Sequence, residues 1–172
     1  MTTTEQNTIS GERTDILEML GKHRYFLCHT VQGLTDEQAA QAPTASTLCL
    51  GGLIKHVAAT ERQWADFILT GEHGTADEAN IADYMNGFRM LPGETLAGLL
   101  EAYRQVGERT DELVRTLPDL DASQALPPAP WFEPGARWTA RRVLMHIIAE
   151  TAQHAGHADI IRETLDGQKS MG

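Results

Sequence analysis

The 172-residue chain predicts an all-α protein, a four-helix bundle with a long connection before the last helix. Three observations predict it. Apolar residues recur at intervals of three and four through four long segments, which is the period of one buried helix face. Capping residues or Gly and Pro stops bound most of those segments. Strand signals are scarce, and no internal repeat interrupts the pattern.

The elements follow in order. Residues 1–10 are polar and read as a flexible terminus; residues 11–172 read as one domain. From Glu12 to Val31 the apolar positions Ile16, Leu17, Leu20, Phe26 and Leu27 predict the first long helix. Thr35 with Gln38 forms a capping box for a short helical turn that ends before Pro43. A second long helix begins after Ser46 or Thr47 and runs to Thr70, with Leu50, Leu53, Ile54, Val57, Trp64 and Ile68 inward and Gly71 as its stop. Residues 71–92, rich in Gly, Asp and Asn, read as a surface excursion with one helical turn near Ala82 to Phe88. The third long helix spans about Thr95 to Thr116 and is closed by Pro118. Its inward side carries Leu96, Leu99, Leu100, Tyr103, Val106, Leu113, Val114 and Leu117. A connection over 118–138 carries Pro127, Pro128, Pro130 and Pro134 together with Trp131, Phe132 and Trp138. Those aromatic residues either line a pocket at the bundle mouth or plug the bundle end. Thr139 then caps the fourth long helix, Ala140 to Asp166, which Gly167 stops.

Composition excludes several classes. A net charge of −10 argues against a surface that tracks phosphates, so nucleic acid is not an expected partner. No apolar run approaches the roughly 20 residues that cross a bilayer, and the first residues lack the basic start and apolar core of a signal peptide. A cytoplasmic protein without membrane contact is expected. Cys28 and Cys49 are too few for a disulfide framework and lack C-x-x-C spacing; they read as buried, inert thiols.

The chemistry-bearing pattern lies in the fourth long helix. Glu150, His154 and His157 fall at i, i+4 and i+7 and share one face, on the line that continues through Val143, Ile147 and Ile161. A carboxylate and two imidazoles on an apolar stripe need partners, because burying them bare costs a few kcal/mol each. Spacing alone leaves two readings open: a hydrogen-bonded core Glu–His cluster, or ligands of a shared divalent cation. His56 adds an inward histidine on the second long helix, and two helices that each present one can close a site in a bundle core.

Leu50-Gly51-Gly52-Leu53-Ile54-Lys55-His56-Val57-Ala58, with Glu61 and Trp64 following, resembles the DinB-like superfamily, as does Arg137-Trp138-Thr139 leading into the run His146 to Glu163 and Asp166-Gly167. More narrowly, the chain resembles the actinobacterial branch of mycothiol-dependent S-transferases, from about residue 12 to its C-terminus, with the last helix the most specific part. The resemblance implies a four-helix bundle that holds a divalent metal, zinc foremost and nickel as an alternative, on three side chains from the second and fourth long helices. Many members carry His-x-x-x-His on the last helix. Here the first of those positions is Glu150, a version found also in the mycothiol-dependent maleylpyruvate isomerases. The ligands implied are His56, Glu150 and His154.

The same resemblance leaves His157 as a neighbour that orients a ligand, contacts substrate or replaces Glu150 in coordination. His146 takes either a ligand-orienting role or that of an ordinary helix histidine, and His23, His29 and His73 show no pattern. Asp159 and Arg162 match the closing motif, either as anchors for an anionic substrate or as a helix-surface ion pair. Trp131, Phe132 and Trp138 are expected to wall an apolar substrate. The expected activity is transfer of a low-molecular-weight thiol, mycothiol or a relative, onto an electrophilic small molecule, with the metal lowering the thiol pKa. A small hydrolase with Glu61 or His157 as base, a thiol-dependent isomerase, and a non-enzymatic metal-binding stress-response module are the alternatives on the same site. Many superfamily members pair, so a monomer or a homodimer is expected.

Overall fold

The computed structural model describes residues 9–73 and 85–171. Four long helices pack as a bundle: α1 (Gly11–His29), α3 (Leu50–Thr70), α4 (Leu96–Thr116) and α5 (Ala140–Asp166), with a short α2 (Asp36–Ala39) between the first two. The expected turn near Ala82 to Phe88 falls partly outside the described residues; within them, 85–87 is helical. Residues 1–8 of the expected flexible terminus also lie outside them.

The helix ends have local chemical causes. Ser10, Thr35, Thr95 and Thr139 each accept a backbone N–H of the first helical turn, and Thr35 with Gln38 completes the capping box. Gly71 and Gly167 close α3 and α5 with φ of 73° and 79°, the left-handed conformation that a side chain disfavours. The second long helix starts at Leu50, a few residues later than its sequence suggests, because Thr44 and Ser46 use their hydroxyls to accept the N–H groups of Ser46 and Leu48 instead of capping. The first ends at His29 rather than Val31, after which overlapping turns carry the chain through Gly33.

The 118–138 connection is shorter than its sequence suggests. β1 (Ser123–Ala125) and β2 (Arg137–Thr139) pair antiparallel, Gln124 opposite Trp138, and shorten the irregular part to a loop over 126–136. The hairpin ends directly at the N-terminus of α5, where the N–H groups of Ala140 and Arg141 bond the carbonyls of Ala122 and Leu120.

Around the bundle, α1 packs along α5, α5 along α3, and α3 along α4. Two apolar clusters fill it, one built on Leu20, Phe67, Val114 and Leu144, the other on Leu27, Leu53, Ile54 and Ile161. A buried polar group accompanies them. The Arg24 guanidinium donates to both Glu61 oxygens at 2.5 and 3.1 Å and to Asp111 at 2.7 Å, and the Glu61 side chain has no solvent exposure. Gly107 makes room for it, since a Cβ there would meet the guanidinium carbon at 3.3 Å. Among the described residues, no helix is long and apolar enough to cross a membrane.

Candidate metal centre

The juxtaposition of α3 and α5 sets the site. Leu53, Ile54 and Val57 bury one face of α3, and His56 lies at the margin of that face, half-buried and turned toward α5. On α5, Val143, Ile147, Thr151, Ala155 and Ala158 pack inward. Glu150 and His154 flank that stripe on the side toward α3. One donor atom each from His56, Glu150 and His154 lies within 4.8 Å of the others. The His56 and His154 rings meet edge to face with centroids 4.8 Å apart, and His154 Nε2 lies 3.7 Å from Glu150 Oε2.

These residues fit a divalent cation. Nitrogen and oxygen ligands about 2.0–2.2 Å from a tetrahedral cation lie roughly 3.4 Å from one another. The observed spread therefore needs the side chains to draw in by little more than an ångström. The two imidazoles are also disposed to stay neutral. Burial, reinforced by His154, pushes the His56 pKa down to about 4. Burial likewise lowers that of His154, with Glu150 opposing the shift and His157 adding to it. Both imidazoles are therefore neutral at pH 7, each offering a lone pair, beside a carboxylate that can supply negative charge.

Neighbours surround the cluster on several sides. The Phe88 ring stacks on His56 with centroids 3.9 Å apart and an interplanar angle of 24°. His157 Nδ1 lies 3.4 Å from His154 Nδ1, on the ring edge opposite the one that faces Glu150. One turn earlier on α5, His146 Nε2 lies 3.8 Å from Glu150 Oε1, so the carboxylate stands between two imidazoles. Burial lowers the His146 pKa against the pull of Glu150, with Arg142 and His73 assisting.

An aromatic group continues outward from His146. Its ring meets Trp64 at 4.9 Å and Trp138 at 5.1 Å; Trp64 and Trp138 stack at 5.1 Å, and His73 lies against Trp64 at 4.3 Å. Phe132 packs on Trp138 at 5.6 Å, and Arg142 lies over the Trp138 ring. Trp131 touches Phe132 but is 69% exposed. A cavity of about 540 Å³ is lined by Leu126, Phe132, Gly135 and the loop prolines, on the hairpin side of this group. His146, read either as ligand-orienting or as an ordinary helix histidine, and His73, which showed no pattern, thus belong to the surroundings of the site. The signal for His146 was its place four residues before Glu150.

Asp159 and Arg162 are occupied elsewhere. Asp159 accepts from the Ser170 backbone and hydroxyl at 2.6 and 2.5 Å. Arg162 is 3% exposed, and donates to the carbonyls of Thr30 and Gln32 and to Asp166 and Gln168. They do not pair with each other, and Arg162 is not a surface residue. Glu61, considered above as a hydrolytic base, is spent on Arg24 inside the bundle. Both cysteines are free; burial pushes the Cys28 thiol up to about 11, and Cys49 donates to the Phe88 carbonyl at 3.7 Å.

Four long helices with a His/Glu/His cluster between the second and the last of them define a helical bundle of the DinB-like class. Within that class, residues 15–167 match the model of the mycothiol-S-transferase family, and the chain belongs to that family. Comparison with curated proteins finds no match.

Proposed function

We propose that the protein is a metal-dependent thiol S-transferase that joins mycothiol, or a related low-molecular-weight thiol, to an electrophilic small molecule. The observation that carries the reading is the convergence of three neutral or anionic donors from two helices, His56, Glu150 and His154, within 4.8 Å in a member of this enzyme family. Three protein donors leave at least one coordination position open, as catalytic sites do. Zinc is the first expectation for such a donor set, with nickel as the alternative.

A cation held there supplies a Lewis acid that lowers the pKa of the thiol cosubstrate, so that a thiolate is present at neutral pH. The chain itself then needs no nucleophile, in keeping with a buried Cys49 and a partly buried Cys28 whose thiol is pushed up to about 11. In the transfer, the thiol proton leaves to solvent, the sulfur forms a bond to the electrophilic carbon, and the departing bond takes its electron pair into the leaving group. We assign His157 to orienting His154. A proton on His154 Nδ1 shared with His157 leaves His154 Nε2 unprotonated toward Glu150 and the cluster. Phe132 and Trp138 form the apolar wall next to the site, and Trp131 its exposed rim.

Elemental analysis of the untagged protein, wild type beside His56→Ala, tests the centre. The expected result is about one divalent metal per chain, lost in the variant while the helical circular dichroism persists. Thiol consumption with an electrophile panel then tests the reaction. Wild-type protein that takes up neither zinc nor nickel refutes the reading, and a metallated protein that binds no thiol reduces it to a metal-binding module.

A further inference from the structure

Phe88 stands outside the donor set yet, among the described residues, its ring lies closer to His56 than any other, centroid to centroid 3.9 Å and nearly parallel. Its position is built from the backbone up. Gly51 and Gly52 open the first turn of α3, where a better helix former would ordinarily stand. The reason is space. A Cβ on Gly52 would lie 1.9 Å from the Phe88 carbonyl oxygen and 2.3 Å from its carbon, so the chain around Phe88 rests directly on the helix backbone. Gly51 accommodates the Met90 side chain in the same way, and the Cys49 thiol donates to the Phe88 carbonyl. Gly52 and the Cys49 thiol therefore anchor the Phe88 carbonyl about one turn before His56, with Met90 seated on Gly51 beside it, and the Phe88 ring stacks on the imidazole.

The consequence concerns the imidazole's freedom. Phe88 covers one face of His56, and the His154 ring meets it edge to face at 4.8 Å. Between those neighbours the ring keeps one plane, and its donor edge stays directed at Glu150 and His154. A ligand whose rotamer is locked before the cation arrives loses less entropy on binding.

Building on the metal-centre reading above, we infer that Phe88 is a positioning residue for the ligand His56, seated by close backbone packing on Gly52. It touches neither the cation nor the reacting atoms; it acts through the His56 ring.

The test pairs Phe88→Leu, which keeps apolar volume without a flat ring, with Phe88→Tyr, which keeps the ring. Cobalt(II) serves as the probe, its affinity measured by chelator competition and its geometry by visible absorption. Phe88→Leu is expected to weaken affinity about tenfold, the scale of lost ligand-orienting contacts, with an altered absorption band and unchanged stoichiometry at saturation. Phe88→Tyr is expected to restore both. In metal-free protein, proton NMR of His56 reads the stack alone: ring-current shifts present in the wild type and Phe88→Tyr are expected to vanish in Phe88→Leu. Wild-type affinity and spectrum in Phe88→Leu overturn the inference, as does a wild-type His56 that shows no ring-current shift. A wild type that shows the shift but binds no cobalt, zinc or nickel overturns the metal centre itself, leaving the stack as packing.

Discussion

Replacing Arg24 with Met is expected to be among the most destabilising single changes in the bundle, and the magnitude follows from what it strands. The Glu61 side chain has no solvent exposure and accepts from two guanidinium nitrogens, at 2.5 and 3.1 Å. Methionine leaves that carboxylate buried without a counterion. Breaking one side of a buried pair costs about 3–5 kcal/mol. For a chain of this size each kcal/mol moves the melting temperature by about 2–4 °C, so a fall of roughly 6–20 °C is expected. The double variant Arg24→Met with Glu61→Met removes both charges and substitutes apolar volume, which is often neutral or better; it is expected to melt near the wild type. Thermal and urea denaturation of the four proteins, with buffer and metal content held fixed, give the cycle. A single variant that loses less than 1 kcal/mol, or a double variant as unstable as the single, refutes the argument that burial governs this pair. Metal content and turnover in the double variant add a functional arm: retention of both is the outcome required if Glu61 is structural and not a base.

Gly52→Ala drives a Cβ into the Phe88 carbonyl, at a cost of about 1–3 kcal/mol for overpacking, whereas Gly51→Ala collides with the movable Met90 side chain and meets the Ala39 carbonyl only at an ordinary 3.4 Å; denaturation curves should rank them in that order. Arg162→Met strands the Thr30 carbonyl and unpairs Asp166, so it should lower stability by about 3 kcal/mol and leave KM for anionic electrophiles unchanged. A raised KM at full stability would instead support substrate anchoring. Cys28 yields a pH prediction. With its thiol pushed from 9.0 to about 11, thiolate at pH 8 is scarcer by about 100-fold, and disulfide-reagent labelling should be slower by that factor than after unfolding. Because the folded pKa is the higher, its contribution to stability is intact below pH 9 and is lost between pH 9 and about 11, so the melting temperature should fall across that window.

Elements whose causes are local were legible in the sequence. Thr95 and Thr139 cap, Gly71 and Gly167 stop, and the apolar period between them places each inward residue named for α3 in the core. The hairpin was not legible. Ser-Gln-Ala and Arg-Trp-Thr are too short to show alternation, and what creates the strands is each other's backbone fourteen residues away in the chain. The candidate cluster was largely legible: Glu150 and His154 announce themselves at i, i+4, His56 is an inward histidine on the second long helix, and the resemblance joined the three. Phe88 had no signal, since it sits in an irregular stretch and meets His56 only because two glycines let the chain descend onto α3.

Arg162 was misleading as a surface ion pair, and Arg24 drew no reading at all, for a common reason. A lone arginine on an amphipathic helix reads as a solvated charge, and its burial depends on carbonyls or carboxylates contributed by other helices. Their placement bears on the site. Apolar packing fixes how far apart two helices lie but resists a small axial slide only weakly, because one row of Leu and Ile resembles the next. Directional bonds resist it. Glu61, five residues beyond His56 on α3, is held by Arg24 of α1. Arg162, eight residues beyond His154 on α5, is held by the carbonyls that follow α1. Each helix of the candidate cluster is thus tied through a buried charge to one common reference, α1 and its exit. A slide of one residue, about 1.5 Å, would come on top of the inward movement that the donors already need around a cation. The two arginines therefore set the register in which His56 meets Glu150 and His154, without themselves approaching that cluster.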